Sequence, residues 1–152
     1  MTDIAWGGPE RPELNEAMKQ WIESHIWSDG RTLPPSLTMG LFDEHAKIFA
    51  GVAFHNYDPW AGVIEISAAS ESKRWLTRPV LKAIFGYAFN DAGCQMVVAR
   101  VDPEDKATVR IFKAYGFQEY IVKRLLGRDK DQCVLTLTDD DWKMNKFEKR
   151  AA

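Results

Sequence analysis

Apolar positions near the start of the chain recur with helical spacing. Leu14, Ala17, Met18, Trp21 and Ile22 fall at i, i+3, i+4, i+7 and i+8, which predicts a helix with one buried face, led in by Pro9 to Pro12. Ser28-Asp29-Gly30 and Pro34-Pro35 then interrupt the pattern, making 27–36 a loop. Three strand-like runs follow, Leu37 to Phe42, Ala46 to Tyr57 and Gly62 to Ala69. They are joined by Asp43-Glu44-His45 and by a second turn from Asn56 to Gly62 that contains Asp58-Pro59. Such an order predicts an antiparallel meander.

The period switches back at Thr77. Val80, Leu81, Ile84, Phe85, Ala88 and Phe89 share one helical face, Thr77 fits an N-cap, Pro79 is tolerated in the first turn, and Gly93 marks the stop. Gln95 to Val101 is a short apolar strand, so 62–101 reads strand, helix, strand, long enough for a right-handed parallel crossover. A second helix is expected from about Pro103 to Tyr115, with Thr108, Ile111, Phe112 and Tyr115 on its apolar face and Gly116 at its end. Phe117 to Leu126 and Gln132 to Thr138 form a closing hairpin around Gly127-Arg128-Asp129, and a charged tail begins at Asp139, anchored by Trp142 and Phe147. The expected fold class is α/β (α+β), a mixed and mostly antiparallel sheet flanked by helices. It forms one domain over 1–152, divided into an N-terminal helix and loop (1–36), a core (37–138) and the tail (139–152).

Composition narrows the function classes. A chain of 152 residues is most simply one domain with one core. Its 20 basic against 22 acidic residues give a net charge of -2, which counts against a protein that coats a nucleic acid backbone. No run approaches the roughly 18–20 apolar residues of a bilayer span, and Met-Thr-Asp-Ile-Ala-Trp lacks the basic and apolar regions of an export leader. A soluble cytoplasmic protein with no membrane partner is expected. Cys94 and Cys133 lie outside any metal or disulfide spacing and read as reduced buried thiols; His25, His45 and His55 share no ligand spacing, so a metal-free protein is expected. Six Trp, eight Phe and four Tyr are a heavy aromatic load, assigned mainly to the core, with Trp6, Trp27 and Trp60 as alternative lining for an acceptor pocket.

The run from Asp102 through Asp105-Lys106-Ala107-Thr108 to Tyr115-Gly116-Phe117, together with Ala92-Gly93-Cys94-Gln95-Met96-Val97-Val98-Ala99-Arg100-Val101 before it, resembles the signature of the GCN5-related N-acetyltransferases. With the element order, the resemblance covers about 37–138. Val52-Ala53-Phe54-His55, Ile64 to Ser70 and Arg74 to Arg78 are also similar to small members encoded in phages and prophages; for such an origin the host cytoplasm is the expected location. The resemblance implies a sheet whose two parallel strands, about 62–69 and 95–101, splay apart. Acetyl-CoA, as co-substrate, would lay its pantetheine arm along the first of them at Ile66, Ser67 and Ala68. Its pyrophosphate would sit on the loop and helix N-terminus at Ser72, Lys73, Arg74, Trp75, Leu76, Thr77 and Arg78.

The chain departs from the family pattern in three places. Where the family's phosphate loop carries glycines stand Ser72, Trp75 and Thr77, so either the loop runs differently or Lys73, Arg74 and Arg78 supply the phosphate contacts. The cofactor-touching Asn of the second helix is replaced by Asp105. Phe112 takes the place of the tyrosine that often protonates the departing thiolate, and Tyr115, pointing elsewhere on the helix, is expected in the core. Candidates for the proton acceptor are Glu65, alone among apolar neighbours on a central strand, and His55 at the end of another. Glu65 could equally partner a Lys or Arg on a neighbouring strand, and His55 could cap its strand or stack among aromatics. The expected function is transfer of the acetyl group from acetyl-CoA directly to a primary amine of an unidentified acceptor, a small molecule or a protein, without direct nucleic acid binding; a homodimer is left open. The alternative is a degenerate fold of this kind serving as a phage accessory or binding protein.

Overall fold

The computed structural model describes residues 2–145, and the anchoring assigned to Phe147 lies outside them. The element order is β1 (Asp3–Trp6), α1 (Pro12–Ile26), β2 (Leu37–Phe42), β3 (Ile48–Asp58), β4 (Val63–Ser70), α2 (Arg78–Gly86), β5 (Met96–Val101), α3 (Lys106–Tyr115), β6 (Gln118–Gly127), β7 (Lys130–Thr138) and α4 (Asp139–Lys143). The strands form one sheet in the order β1-β2-β3-β4-β5-β7-β6, mostly antiparallel, with β4 and β5 as the parallel pair and helices flanking it, the mixed α/β class expected. Contacts divide the chain into two units, 2–57 with 66–84, and 58–65 with 85–145. The division runs through β4, whose first three residues belong to the second unit and whose remainder belongs to the first.

In the first unit β1, β2 and β3 form an antiparallel ladder with Asp3 opposite Phe42 and Gly40 opposite Gly51. That last pair decides where α1 lies. A Cβ added at Gly51 would meet Ile22 Cγ1 at 2.8 Å, and one at Gly40 would run into the Met18 sulfur, so the bare backbone lets the helix settle on the sheet. Asn15 pins the helix start: its Oδ1 accepts from the Thr38 amide at 2.9 Å and the Thr38 hydroxyl at 2.7 Å, and its Nδ2 donates to Ser36 O at 2.8 Å. At the other end the buried Glu23 carboxylate accepts from the Leu33 amide at 2.7 Å and pairs with Lys19 at 3.0 Å, tying the 27–36 loop to the helix. Ile22, Leu33 and Ala53 form the core beneath, with Trp21, Trp27 and Ala69 against it. The predicted apolar face is met at Met18 and Ile22, whereas Ala17 is exposed.

The second unit is held by aromatic side chains. Phe85 stacks on Tyr115 with centroids 4.8 Å apart, Phe89 on Trp142 at 4.9 Å, and Phe117 meets Phe85 edge-on at 5.8 Å. The Trp142 indole donates to the Tyr115 hydroxyl at 3.2 Å, and Asn145 Nδ2 donates to Tyr115 O, so the start of the tail is anchored through Trp142 as expected. α2 continues into a π-helical turn, Tyr87–Asp91, before Gly93 (φ 69) ends it. α3 begins at Lys106, three residues later than expected, because Asp102–Asp105 close a turn of their own and Asp105 caps the helix. Its buried side is Val109 and Tyr115 with Thr108 and Phe112 partly covered, which leaves Ile111 45% exposed at the margin of the arc.

Two expectations about aromatics need correction. Trp60 is 98% exposed: it crowns the β3–β4 turn, where Asp58 accepts from the amides of Trp60 at 2.9 Å and Ala61 at 3.1 Å, so the turn turns its own polar groups inward and its large ring outward. Tyr57 and Tyr120 are also about half exposed and contribute little to a core. Replacing Gly51 with Ala should lower stability by about 1–3 kcal/mol, because the new methyl must displace Ile22; a shift of the urea midpoint at unchanged slope would show it. Cys133 is fully buried, and burial, with the Glu119 carboxylate beside it, pushes its thiol up to about 11. It should therefore resist aromatic disulfide reagents at pH 8 until the protein unfolds, as timed thiol titration would reveal.

Candidate functional site

Strand alternation puts Glu65, Ser67 and Ala69 on one side of β4 and Ile64, Ile66, Ala68 and Ser70 on the other. On β3, His55 is the last buried residue. Asn56 beside it takes a left-handed φ of 51, and from there the strand runs exposed to its end. His55 is 4% exposed and its Nε2 lies 2.8 Å from the Ser67 hydroxyl. Two residues proposed from sequence for different tasks, one for proton transfer and one for cofactor contact, are thus in direct contact. Their pairing depends on the β3–β4 register and was not visible in either motif.

The loop after β4 is held by its serines. The Ser70 hydroxyl accepts from the Ser72 amide at 2.9 Å and donates to Ser72 O at 2.7 Å, while the Ser72 hydroxyl accepts from the Arg74 amide at 3.2 Å. No residue from 70 to 78 has a positive φ, so the loop follows a path open to any side chain, and this answers the absence of glycine at Ser72, Trp75 and Thr77. Thr77 O accepts from the Leu81 amide at 2.9 Å, which starts α2 where the sequence placed its cap, with Pro79 in the first turn. Among the described residues the amides of Lys73, Trp75, Leu76 and Arg78 make no hydrogen bond, and the side chains of Lys73, Arg74 and Arg78 are exposed. Donors and positive charge gathered at a helix start suit an anion. Trp75 and Leu76 are partly covered.

α1 reaches this loop. His25 stacks on Trp21 with centroids 3.8 Å apart and its Nε2 lies 3.1 Å from Glu71 Oε2, while the Glu71 amide donates to Phe49 O at 2.8 Å. Neither His25 nor Glu71 was singled out from sequence, since their meeting is set by the seat of the helix.

In the second unit Glu65, whose side chain is 13% exposed, has Oε2 3.6 Å from Arg100 Nε on β5, so it has the cationic neighbour weighed as one reading of it. Arg100 is about half exposed, and at 3.6 Å the contact is longer than a charge-assisted hydrogen bond. Asp105 accepts from the Thr108 amide at 3.3 Å as the cap of α3, and Phe112 packs on Phe117 at 5.0 Å. Tyr115 is 4% exposed, in the core as expected. Among the described residues no three His, Cys, Asp or Glu side chains converge as metal ligands, and no helix is long and apolar enough to cross a membrane.

No curated protein sequence matches the chain. Solved structures do match its fold. Ribosomal-protein-S5-alanine acetyltransferase from Vibrio fischeri aligns with a TM-score of 0.70 at 12% identity, covering 93% of this chain and 94% of that one. A mutant form of the spermidine/spermine N-acetyltransferase SpeG from Vibrio cholerae aligns at 0.68 and 11%, covering both chains fully at 100%. A dodecameric spermidine N-acetyltransferase from the same organism aligns at 0.68 and 12%, covering 93% and 95%. Residues 2–118 match the acetyltransferase (GNAT) domain, a match that begins well before the 37–138 segment carrying the sequence resemblance and takes in β1 and α1. The chain belongs to the GNAT acetyltransferase family.

Proposed function

We propose that this protein transfers the acetyl group of acetyl-CoA directly to a primary amine. The observation that carries the reading is the loop 72–78, with four uncommitted amides and three exposed cations at the start of a helix that directly follows β4. These residues fit a pyrophosphate, while the backbone of Ile66, Ser67 and Ala68 would hold the pantetheine arm and the thioester carbonyl. Asp105 and Phe112 are proposed to complete the cofactor contacts. Acetyl-CoA supplies an activated acyl group. The chain supplies orientation and routes for protons.

An amine that arrives as ammonium must lose one proton before attack and a second after it. Glu65 is proposed to take the first: it lies one residue from the proposed thioester site, and Arg100 offsets the cost of keeping its carboxylate on the sheet. His55, at 4% exposure, does not itself present a nitrogen to an acceptor, so any part it plays goes through a neighbour. The acceptors named for the structural neighbours, an alanine of a ribosomal protein and spermidine or spermine, are all amines, which supports the class without choosing within it. A cytoplasmic location, the host cytoplasm if the protein is phage-encoded, and a homodimer belong to the same reading. The second reading, a phage accessory or binding protein with little catalysis, is favoured by Phe112 in the tyrosine's place.

Calorimetric titration with acetyl-CoA should show binding, and an absence of heat at several hundred micromolar would overturn the proposal. Arg74→Ala should weaken that binding roughly tenfold, the worth of one charge-assisted phosphate contact, and unchanged affinity would remove the loop as the phosphate site. Glu65→Gln should lower turnover about 100-fold with acetyl-CoA affinity retained, measured as thiol release with spermidine as the probe amine; full turnover would exclude Glu65.

A further inference from the structure

The geometry points to Ser67 and His55 as a relay for the second proton, with Ser67 touching the reacting amine and His55 acting through it as a positioning and proton-holding residue. This rests on the acetyl-transfer reading above. Ser67 lies in the middle of the β4 segment proposed to hold the thioester, on the same side of the strand as Glu65, and it is only partly covered. Its hydroxyl is 2.8 Å from Nε2 of an imidazole that is 4% exposed. A hydroxyl between a reacting atom and an imidazole is the arrangement in which a side chain of ordinary acidity can pass a proton on, because it gains one as it gives one up. Burial holds the imidazole against the serine and keeps competing water from it.

The step balances within the chain and its two substrates. As the amine nitrogen bonds to the acetyl carbon and the carbon–sulfur bond breaks, the second nitrogen proton moves to Ser67 Oγ while the hydroxyl proton moves to His55 Nε2. The imidazolium returns that proton through Oγ to the departing sulfur, leaving amide, CoA thiol and a neutral imidazole. Such a path supplies an acid for the thiolate in a chain where Phe112 stands in the place of the family's tyrosine. It requires His55 in the tautomer whose Nε2 accepts.

Two measurements test it. Long-range nitrogen–proton spectra of the free protein, with His55 assigned by comparison with His55→Gln, should show Nε2 unprotonated and Nδ1 protonated; a proton resident on Nε2 would overturn the relay, since Ser67 could then only accept. In thiol-release assays with spermidine as probe, Ser67→Ala and His55→Gln should each lower kcat about 10- to 100-fold with less than about twofold change in KM for acetyl-CoA. The double variant should lose no more than either single one, and Ser67→Thr, which keeps the hydroxyl, should recover most of the rate. Wild-type kcat in His55→Gln, whose amide can still hold Ser67 in place, would reduce the pair to a structural hydrogen bond. Wild-type protein that binds acetyl-CoA and acetylates spermidine while these variants match it overturns the relay alone; wild-type protein that neither binds acetyl-CoA nor releases thiol overturns the acetyl-transfer reading and the relay with it.

Discussion

The close approach of α1 to β2 and β3 is the constraint on which the first unit depends. Facing glycines at 40 and 51 remove two side chains from the sheet where the helix crosses it, and Met18 and Ile22 occupy that space. A helix seated a few ångströms higher would lose the Asn15 clamp on Thr38 and the Glu23 bond to Leu33 together, because both acceptors reach only hydrogen-bond distance from the present axis. It would also withdraw His25 from Glu71, leaving only the amide bond to Phe49 O, of these two contacts, to hold the first residue of the loop that follows β4. Packing at one pair of glycines is therefore carried, through three polar contacts along a single helix, to the loop proposed to bind an anion.

For a related reason, β4 concentrates the residues proposed for the chemistry. Its residues alternate between a side that is largely core and a side bearing Glu65 and Ser67, and each of these polar groups has a partner on an adjacent strand, Arg100 on β5 and His55 on β3. Polar side chains in such a strand are costly unless paired, and here the pairing itself sets their direction. Both pairs join residues from different strands, so the role proposed for β4 depends on its register.

That explains which features were legible in the chain and which were not. Helical and alternating periodicity located α1, the meander, α2, β5, α3 and the closing hairpin, because each buries one face and spacing reports the face. β1 went unseen because four residues, Asp3–Trp6, are too short to establish a period. The π-helical turn at Tyr87–Asp91 was invisible because the same apolar residues serve an α-helix equally well. Trp60 was assigned with the other aromatics because composition carries no information on direction, and only the Asp58 turn reveals that its ring faces water. At the site, residue types were readable one by one, and the basic loop stood out. The contacts His55–Ser67, Glu65–Arg100 and His25–Glu71 join residues 12, 35 and 46 positions apart, and local pattern does not encode such meetings.

β6 shows a different kind of economy. It is the sheet's terminal strand, exposed along its whole length, and it carries Tyr120, Ile121, Val122, Leu125 and Leu126 into water. A straight apolar edge of that kind would template further strands and drive the protein out of solution at the concentrations reached during synthesis. The register with β7 shifts between Val122 and Gly127, Arg124 turns to a φ of 67, and Lys123 and Arg124 stand in the midst of the apolar run. Regular pairing is confined to the first half of the strand, and the irregular, cationic second half is poorly shaped to template a further strand. Smoothing that bend would lengthen the regular apolar edge that water now meets.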